Sequence, residues 1–413
     1  MYKLFAALVV ILLSGCAAQQ YDNNRLAESL QFQPPTIVLE QLQKTKPASR
    51  DKVQFQLNMG YLQFITGDFA SAIITLNDAK QGMKALSATS ISENIGAGAV
   101  SETLRQYSGY PTDRVMVHNI LALSYLFSGQ IYDARVEILQ SEVAIKALMD
   151  NDQNGQLASA HLLGGIIYEL LGEYSNALIS YKDAADTIKK RSMNLPVGLK
   201  QALVRVTYQL GATEQYRQYQ QQFPEIGSSN TNANNQVFVL YFDGVVSHKV
   251  ESSVIVPSTN AQQIIRISMP AYPNNNKPFK YIQVSDTTQS STSQVIEDVD
   301  LLVREDLAKD YPSILLLTST RAIAKYQLVR NAQKQDPLIG LLANLVTVVS
   351  ENADLRSWNM LPATIQFAYL TPKENSIMVN KGHGIQESID TSGGRKHVLL
   401  INGLSNAVFH YQQ

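Results

Sequence analysis

Cysteine is nearly absent from this 413-residue chain: Cys16 stands alone, so no disulfide can form within it and a zinc site built on Cys/His pairs is excluded. Charge imbalance is also missing. With 34 basic and 35 acidic residues, interspersed, the net charge is −1, and no basic stripe exists to follow a phosphate backbone, which removes nucleic acid from the partner classes. Beyond Leu13 no apolar run is long enough to cross a bilayer. No Gly-x-Ser-x-Gly elbow, Gly-x-x-x-x-Gly-Lys phosphate loop or His-Glu-x-x-His pair occurs. The histidines at 118, 161, 248, 383, 397 and 410 show no metal-ligand spacing. His383 and His397 flank Gly382, Gly384 and Gly393-Gly394, a pattern that reads first as a flexible turn. A glycan-cleaving carboxylate pair leaves no signature in sequence, because its members need only meet in space. The reading is therefore of no enzyme, no cofactor and no metal.

What is present begins at the N-terminus. Lys3 precedes the apolar run Leu4 to Leu13, and Ser14 and Gly15 are the small residues a signal peptidase needs beside its cut. The ending Leu13-Ser14-Gly15-Cys16 resembles a bacterial lipobox. It implies removal of residues 1–15 and a diacylglycerol plus an N-acyl chain on Cys16, with 16–35 serving as a lipidated tether. Ala17, where an aspartate would signal inner-membrane retention, implies the outer membrane, with the body facing the periplasm. An ordinary secretory signal that happens to contain a cysteine is the rival reading.

Residues 36–226 read as paired helices. Gly60, Ala122 and Gly165 each stand seven positions before a turn glycine (Gly67, Gly129, Gly172), and Ala72, Ala134 and Ala177 each stand five after it. Small residues let paired helices approach closely, and a glycine ends the first helix by taking a left-handed backbone angle. The pattern resembles the tetratricopeptide repeat, with a degenerate fourth copy at Gly211. The turn glycines are spaced more widely than the roughly 34-residue period of a regular array, and Gln81 to Tyr107 has room for an extra hairpin. A generic bundle of Gly-terminated helices is the alternative. The functional content of such an array is a hollow inner wall that holds a segment of another protein. Tyr125, Tyr168, Tyr174 and Tyr181 are candidates for that wall, or for packing between helices.

The polar stretch 227–235 reads as a linker. After it the period changes: Val237 to Phe242, Val254 to Val256, Ile264 to Met269, Tyr281 to Val284, Ile365 to Tyr369, Ile377 to Val379 and Val398 to Ile401 are short β-forming runs, and Asn402-Gly403 turns into Ala407 to Tyr411. A helical insert at about 299–350 interrupts them, with segments at Val299 to Leu307, Ala322 to Ala332 and Leu338 to Val349, the last opened by Asp336-Pro337. Leu338 to Val349 is apolar nearly all round, which fits either a membrane-active segment or a buried one; at about 12 residues it is expected to be buried against the sheet. The fold class is thus α+β, a tetratricopeptide-like helical array followed by a β-rich, sandwich-like domain at 236–413 with a helical insert.

Three blocks carry a further resemblance: Tyr107-Ser108-Gly109-Tyr110-Pro111-Thr112-Asp113-Arg114-Val115-Met116-Val117-His118; Val239 to Glu251, with Asp243-Gly244 and Lys249; and Ala353-Asp354-Leu355-Arg356-Ser357-Trp358 followed by Leu361-Pro362. With the lipobox they resemble a family of proteobacterial outer-membrane lipoproteins with tetratricopeptide repeats, often encoded beside a lipoprotein that activates a penicillin-binding protein. Asp113 stands where that family usually has a glutamate, and no basic pair follows Val136-Glu137-Ile138. Asp113 is expected to cap the helix it enters. Asp354 and Arg356 are expected to pair, with Trp358 stacked on the arginine or filling the core, either as a clamp or as a ligand site. The resemblance implies a non-catalytic, protein-binding adaptor in cell-envelope biogenesis, linked to control of peptidoglycan synthesis and gripping a periplasmic or membrane protein. The rivals are an assembly factor of a secretion or pilus machine and an envelope hydrolase using the C-terminal domain.

Overall fold

A computed structural model describes residues 23–88, 106–148, 153–227, 235–258, 263–274, 278–382, 385–405 and 407–413. The leader and residues 16–22 of the expected tether, Cys16 among them, lie outside the described residues, as do 89–105 in the expected extra hairpin, 228–234 of the expected linker, and His383. The rest of the expected tether is part of the folded body instead, since 23–29 is helical and Leu26, Ala27 and Leu30 are buried in the core.

After a helical stretch at 23–29 come α1 (Pro35–Gln43), α2 (Lys52–Ile65), α3 (Phe69–Ala88), α4 (Pro111–Phe127), α5 (Ile131–Lys146), α6 (Ala158–Leu170), α7 (Tyr174–Lys190), α8 (Val197–Gln209) and α9 (Thr213–Gln222). Four pairs, α2–α3 to α8–α9, each turn at a glycine in the left-handed region: Gly67, Gly129, Gly172 and Gly211. Close approach explains the glycines inside the helices. A Cβ at Gly60 would collide with Leu76 across the first pair, and one at Gly165 with the ring of Tyr181 across the third.

The strands are β1 (Gln236–Asp243), β2 (Val250–Ser258), β3 (Gln263–Ala271), β4 (Gln283–Ser285), β5 (Ser290–Thr292), β6 (Gln294–Asp298), β7 (Thr364–Leu370), β8 (Ser376–Asn380), β9 (Gln386–Asp390), β10 (Lys396–Asn402) and β11 (Val408–Gln412). The main sheet has the order β11-β10-β1-β7-β6. It is mixed: β1 runs parallel to β10, from Gln236 opposite Lys396 to Phe242 opposite Asn402, and antiparallel to β7. Both faces are covered, which is why β1 is buried along its whole length. Phe238, Leu240, Phe242, Phe367, Tyr369, Val398 and Leu400 share one core with the helix pairs. Val237, Val239, Tyr241, Leu370, Leu399 and Ile401 meet Val284, Ile377, Val379 and Ile389 of a second sheet, ordered β5-β4-β8-β9.

The helix–sheet seam changes the expected use of the repeats. The first helix of each pair is the one sunk into the shared core: the Phe64 ring of α2 lies 6.3 Å from Phe242, and Gly198 of α8 faces Phe367 and Tyr369. The inner wall, expected to lie open for a partner, is filled by the chain's own sheet.

The insert departs further from expectation. Two of its three expected helices are one, α10 (Val299–Gln335), which continues through Pro312; α11 (Pro337–Val349) follows, with Asp336 Oδ1 accepting from the Leu338 N–H at 2.7 Å. With the β2–β3 hairpin they form an arm in which α11 packs on α10 and β3. The expected burial of α11 is wrong. Leu338, Ile339, Leu341, Leu342, Leu345 and Val346 are 41% to 70% exposed. The helix is apolar on nearly every side, and α10 and β3 can cover only one of them.

Candidate functional site

The three sequence blocks, far apart in the chain, converge at the root of the arm. Pro111 opens α4, and Asp113 in its first turn accepts from the Tyr110 N–H at 2.9 Å and from the Tyr107 hydroxyl, capping the helix from inside. Lys249, just before β2, points into the same place. Its ammonium donates to the Tyr110 hydroxyl and to the Arg356 carbonyl at 3.1 Å, and lies 4.0 Å from the Tyr110 ring centre. Arg356 holds Asp354 in a two-pronged pair, Nε to Oδ1 at 2.8 Å and Nη2 to Oδ2 at 2.6 Å, while Nη1 donates to the Arg50 carbonyl at 3.1 Å. Trp358 is wholly buried in the core. Gln54 of α2 donates to the Ser357 carbonyl at 2.8 Å, and Asn58 to Asn359 Oδ1 at 2.8 Å.

Electrostatically the cluster is balanced. Burial pulls the Lys249 ammonium down to about 8 against the nearby carboxylates Asp354 and Asp113. Burial works against the charge of Asp354 too, yet the Arg356 guanidinium holds its carboxyl below the usual range. Burial raises Asp113 in spite of its two donors. A cleft of about 430 Å³ opens beside the cluster, lined among others by Tyr107, Tyr110, Arg114, Asp310, Asp354 and Arg356. Asp354 and Arg356 thus take the expected pair and Trp358 the core position. The whole ties α2, the entry to α4, the start of β2 and the segment after α11 into one clamp.

The tyrosines of the repeats fall on packing seams. Tyr125 is half-buried and accepts from Asn77 Nδ2 at 3.3 Å, and Tyr174 is half-buried with Lys396 Nζ 5.3 Å from its ring centre. Tyr181 donates to Glu169 at 2.8 Å inside the core. Tyr168 is buried but donates to Glu142 at 3.0 Å on the floor of an open groove. That groove, about 570 Å³, runs between α5 and α7 on the outer side of the pairs, with Glu142, Asp183, Asp186, Lys146 and Lys190 along its walls. His161 also lines it; burial, with Lys146 and Lys190 nearby, pulls its imidazole down to about 4.

The other described histidines are accounted for locally. His118 Nδ1 meets Glu137 at 2.7 Å, His248 meets Glu28 at 2.8 Å, and His397 Nδ1 faces His410 Nε2 at 3.0 Å. Among the described residues no three His, Cys, Asp or Glu side chains gather as a metal site would require.

Sequence reasoning missed the buried ion pairs, of which one joins two helices of the array. Arg205 of α8 grips Glu169 of α6 with Nε at 2.7 Å and Nη2 at 2.9 Å, its guanidinium 4.1 Å from the Tyr369 ring centre. The signal was available: each is a lone charge inside an apolar helical run, where a charge persists only with a partner.

No family model and no curated protein matches the chain. Solved structures that match include the apo form of RapI, at 17% identity and a TM-score of 0.32 over 50% of this chain and 49% of RapI, so the chain spans about half of that protein. BtubC (BKLC) from P. vanneervenii matches at 14% identity and a TM-score of 0.32, over 54% of this chain and 82% of BtubC. Both likenesses are too slight to bear on fold or function.

Proposed function

We propose that the chain is an outer-membrane-anchored periplasmic lipoprotein acting as a non-catalytic adaptor in cell-envelope biogenesis, linked to control of peptidoglycan synthesis. Its helix pairs are tetratricopeptide-like in their turn glycines and small interhelix residues, but the partner lies on their outer side. The observation that carries this reading is the groove between α5 and α7. Among the described residues it is one of two open troughs on the repeats, the other, about 730 Å³ and more apolar, lying between α3 and α5. The floor of the α5–α7 groove is a tyrosine hydroxyl already engaged with a carboxylate. Walls of mixed charge suit an extended, polar segment of another protein, its backbone meeting Asn176 and its side chains alternating between acids and bases.

The state of the other polar groups supports a scaffold over a hydrolase. Asp354 is occupied by Arg356, and Lys249 by Tyr110 and a carbonyl, so the cleft at the clamp is walled by groups holding the fold together. The test is a photoreactive residue at Ile179, exposed in the groove, activated in living cells. Adducts with peptidoglycan-synthesis proteins support the reading, and adducts with secretion or pilus components move the chain to that machinery. Failure to form any protein adduct in the groove overturns the adaptor role.

A further inference from the structure

The arm is built inside out. Between 313 and 349 the fully buried described side chains are Thr318, Arg321, Val329 and Asn344, only one of them apolar. Arg321 donates to Glu351 at 3.2 Å, and Lys325 reaches the other oxygen of the same carboxylate at 2.6 Å. Asn344 fastens α11 to β3 through both backbone groups of Ile264, at 2.8 and 3.1 Å. The leucines point the other way. Leu315, Leu316, Ile323 and Leu328 of α10 are exposed as well, as are Val254, Ile255 and Val256 of β2, which alternate between the two faces of the hairpin. Polar groups paired within and aliphatic groups without is the arrangement of a segment whose surroundings are hydrocarbon, and a patch of this extent needs a cover.

Three observations say what covers it. No helix among the described residues is long and apolar enough to cross a membrane, and α11, at about 20 Å, is shorter than a hydrocarbon core of about 30 Å, so it can lie in a leaflet but not span one. From Ser313 to Val349 the charges are Arg321, Lys325, Arg330 and Lys334 against Asp336 alone, with Arg330 and Lys334 exposed near the tip, a balance suited to anionic headgroups. The described chain also begins at the arm's root: Asn24 donates to the Lys249 carbonyl at 3.4 Å, next to the first residue of β2, and accepts from Asn359 at 2.7 Å. The residues from Cys16 to there span at most about 29 Å. A lipid on Cys16 therefore keeps the arm's root close to a leaflet, and the bilayer is the nearest apolar phase.

We infer that the arm is a second membrane contact, with the apolar face of α11 seated in the acyl boundary of a phospholipid leaflet and Arg330 and Lys334 among its headgroups. The inference rests on the anchored reading for the nearness of the membrane. The test uses the mature acylated chain in vesicles of phosphatidylethanolamine and phosphatidylglycerol, with an environment-sensitive fluorophore on Leu342→Cys or, as a body control, on Ile74→Cys. With Cys16 acylated, each introduced thiol is the sole reactive one. Nitroxide lipids are expected to quench the label at 342 and to leave the one at 74 bright. Equal quenching at the two sites overturns the inference. So does a label at 342 shielded from aqueous iodide in lipid-free protein of doubled mass, since a second copy then covers the face, and so does a photoreactive residue at 342 that forms protein rather than lipid adducts in cells. The mass added at Cys16 tests the anchor separately. If it is missing while the unacylated chain still shows quenching at 342, the arm stands and the anchor falls.

Discussion

The body and the arm put the same residue types to opposite use. In the body, leucines such as Leu57 and Leu123 are buried and charge is spread over the surface, apart from deliberate pairs such as Glu169–Arg205. In the arm a carboxylate with two basic partners is buried and the leucines face outward. Both regions obey one rule, that a buried charge needs a partner, but the body buries far more apolar surface. The arm adds hydrogen bonds and ion pairs to a small apolar contact around Val329. Its exterior is free to serve something other than folding.

The largest expected effect tests the charge pair in the body. Glu169→Ala leaves Arg205 buried without its carboxylate between α8 and the sheet, and should cost about 3–5 kcal/mol in denaturant unfolding. Removing both charges, in Glu169→Leu with Arg205→Met, should recover much of that. The matching change in the arm, Glu351→Ala, should speed amide exchange in α10 and α11 while leaving the main unfolding midpoint in place. If it unfolds the whole chain, arm and body are one cooperative unit and the comparison fails.

Next in size is apolar truncation in the body. Leu57→Ala, at a fully buried site in α2, should destabilise by about 2–5 kcal/mol, read as a shifted urea midpoint with an unchanged slope.

A pH dependence at the clamp joins the two regions. The ammonium of Lys249 falls to about 8 when folded, below its unfolded value, so between that pH and about 10.4 the unfolded chain binds the extra proton. Lys249 should therefore add stability as pH rises across that window, on the order of 1–3 kcal/mol, against an opposing loss near the top of it from buried tyrosines such as Tyr107 and Tyr110, whose hydroxyls burial keeps protonated when folded. The difference between wild type and Lys249→Met isolates the lysine and should grow with pH. A Met variant whose profile runs parallel to wild type throughout would show that Lys249 keeps its ordinary affinity for protons.

How far the sequence foretold this division depends on range. The turn glycines and the small residues at 60 and 165 were readable, because a left-handed turn and a close helix crossing are local demands with few solutions. The helix start at Asp336-Pro337 was readable for the same reason. The parallel pairing of β1 with β10 was not, since strand runs carry no label for partners lying most of a domain away. Continuity of α10 through Pro312 was hidden by the proline, whose missing N–H and bulk ordinarily end a helix. The clamp was half visible: Asp354 and Arg356 were foreseen as a pair, but Lys249 reaches them only through the fold. The misjudged burial of α11 has the clearest cause. An all-apolar helix states that it must leave water, and says nothing of whether protein or lipid receives it.

The smallest expected effect is therefore the most discriminating. Leu342→Ala, at a site more than half exposed, should change the stability of lipid-free protein by no more than about 0.5 kcal/mol, against the several expected at Leu57. The same substitution removes apolar surface that would otherwise enter a leaflet, so its cost should surface in vesicle binding as a weaker partition. A leucine that is nearly neutral for folding and costly for binding is a leucine kept for contact. Should Leu342→Ala instead unfold the lipid-free chain as Leu57→Ala does, its side chain would be part of the folded interior, and the inside-out character of the arm would be lost with it.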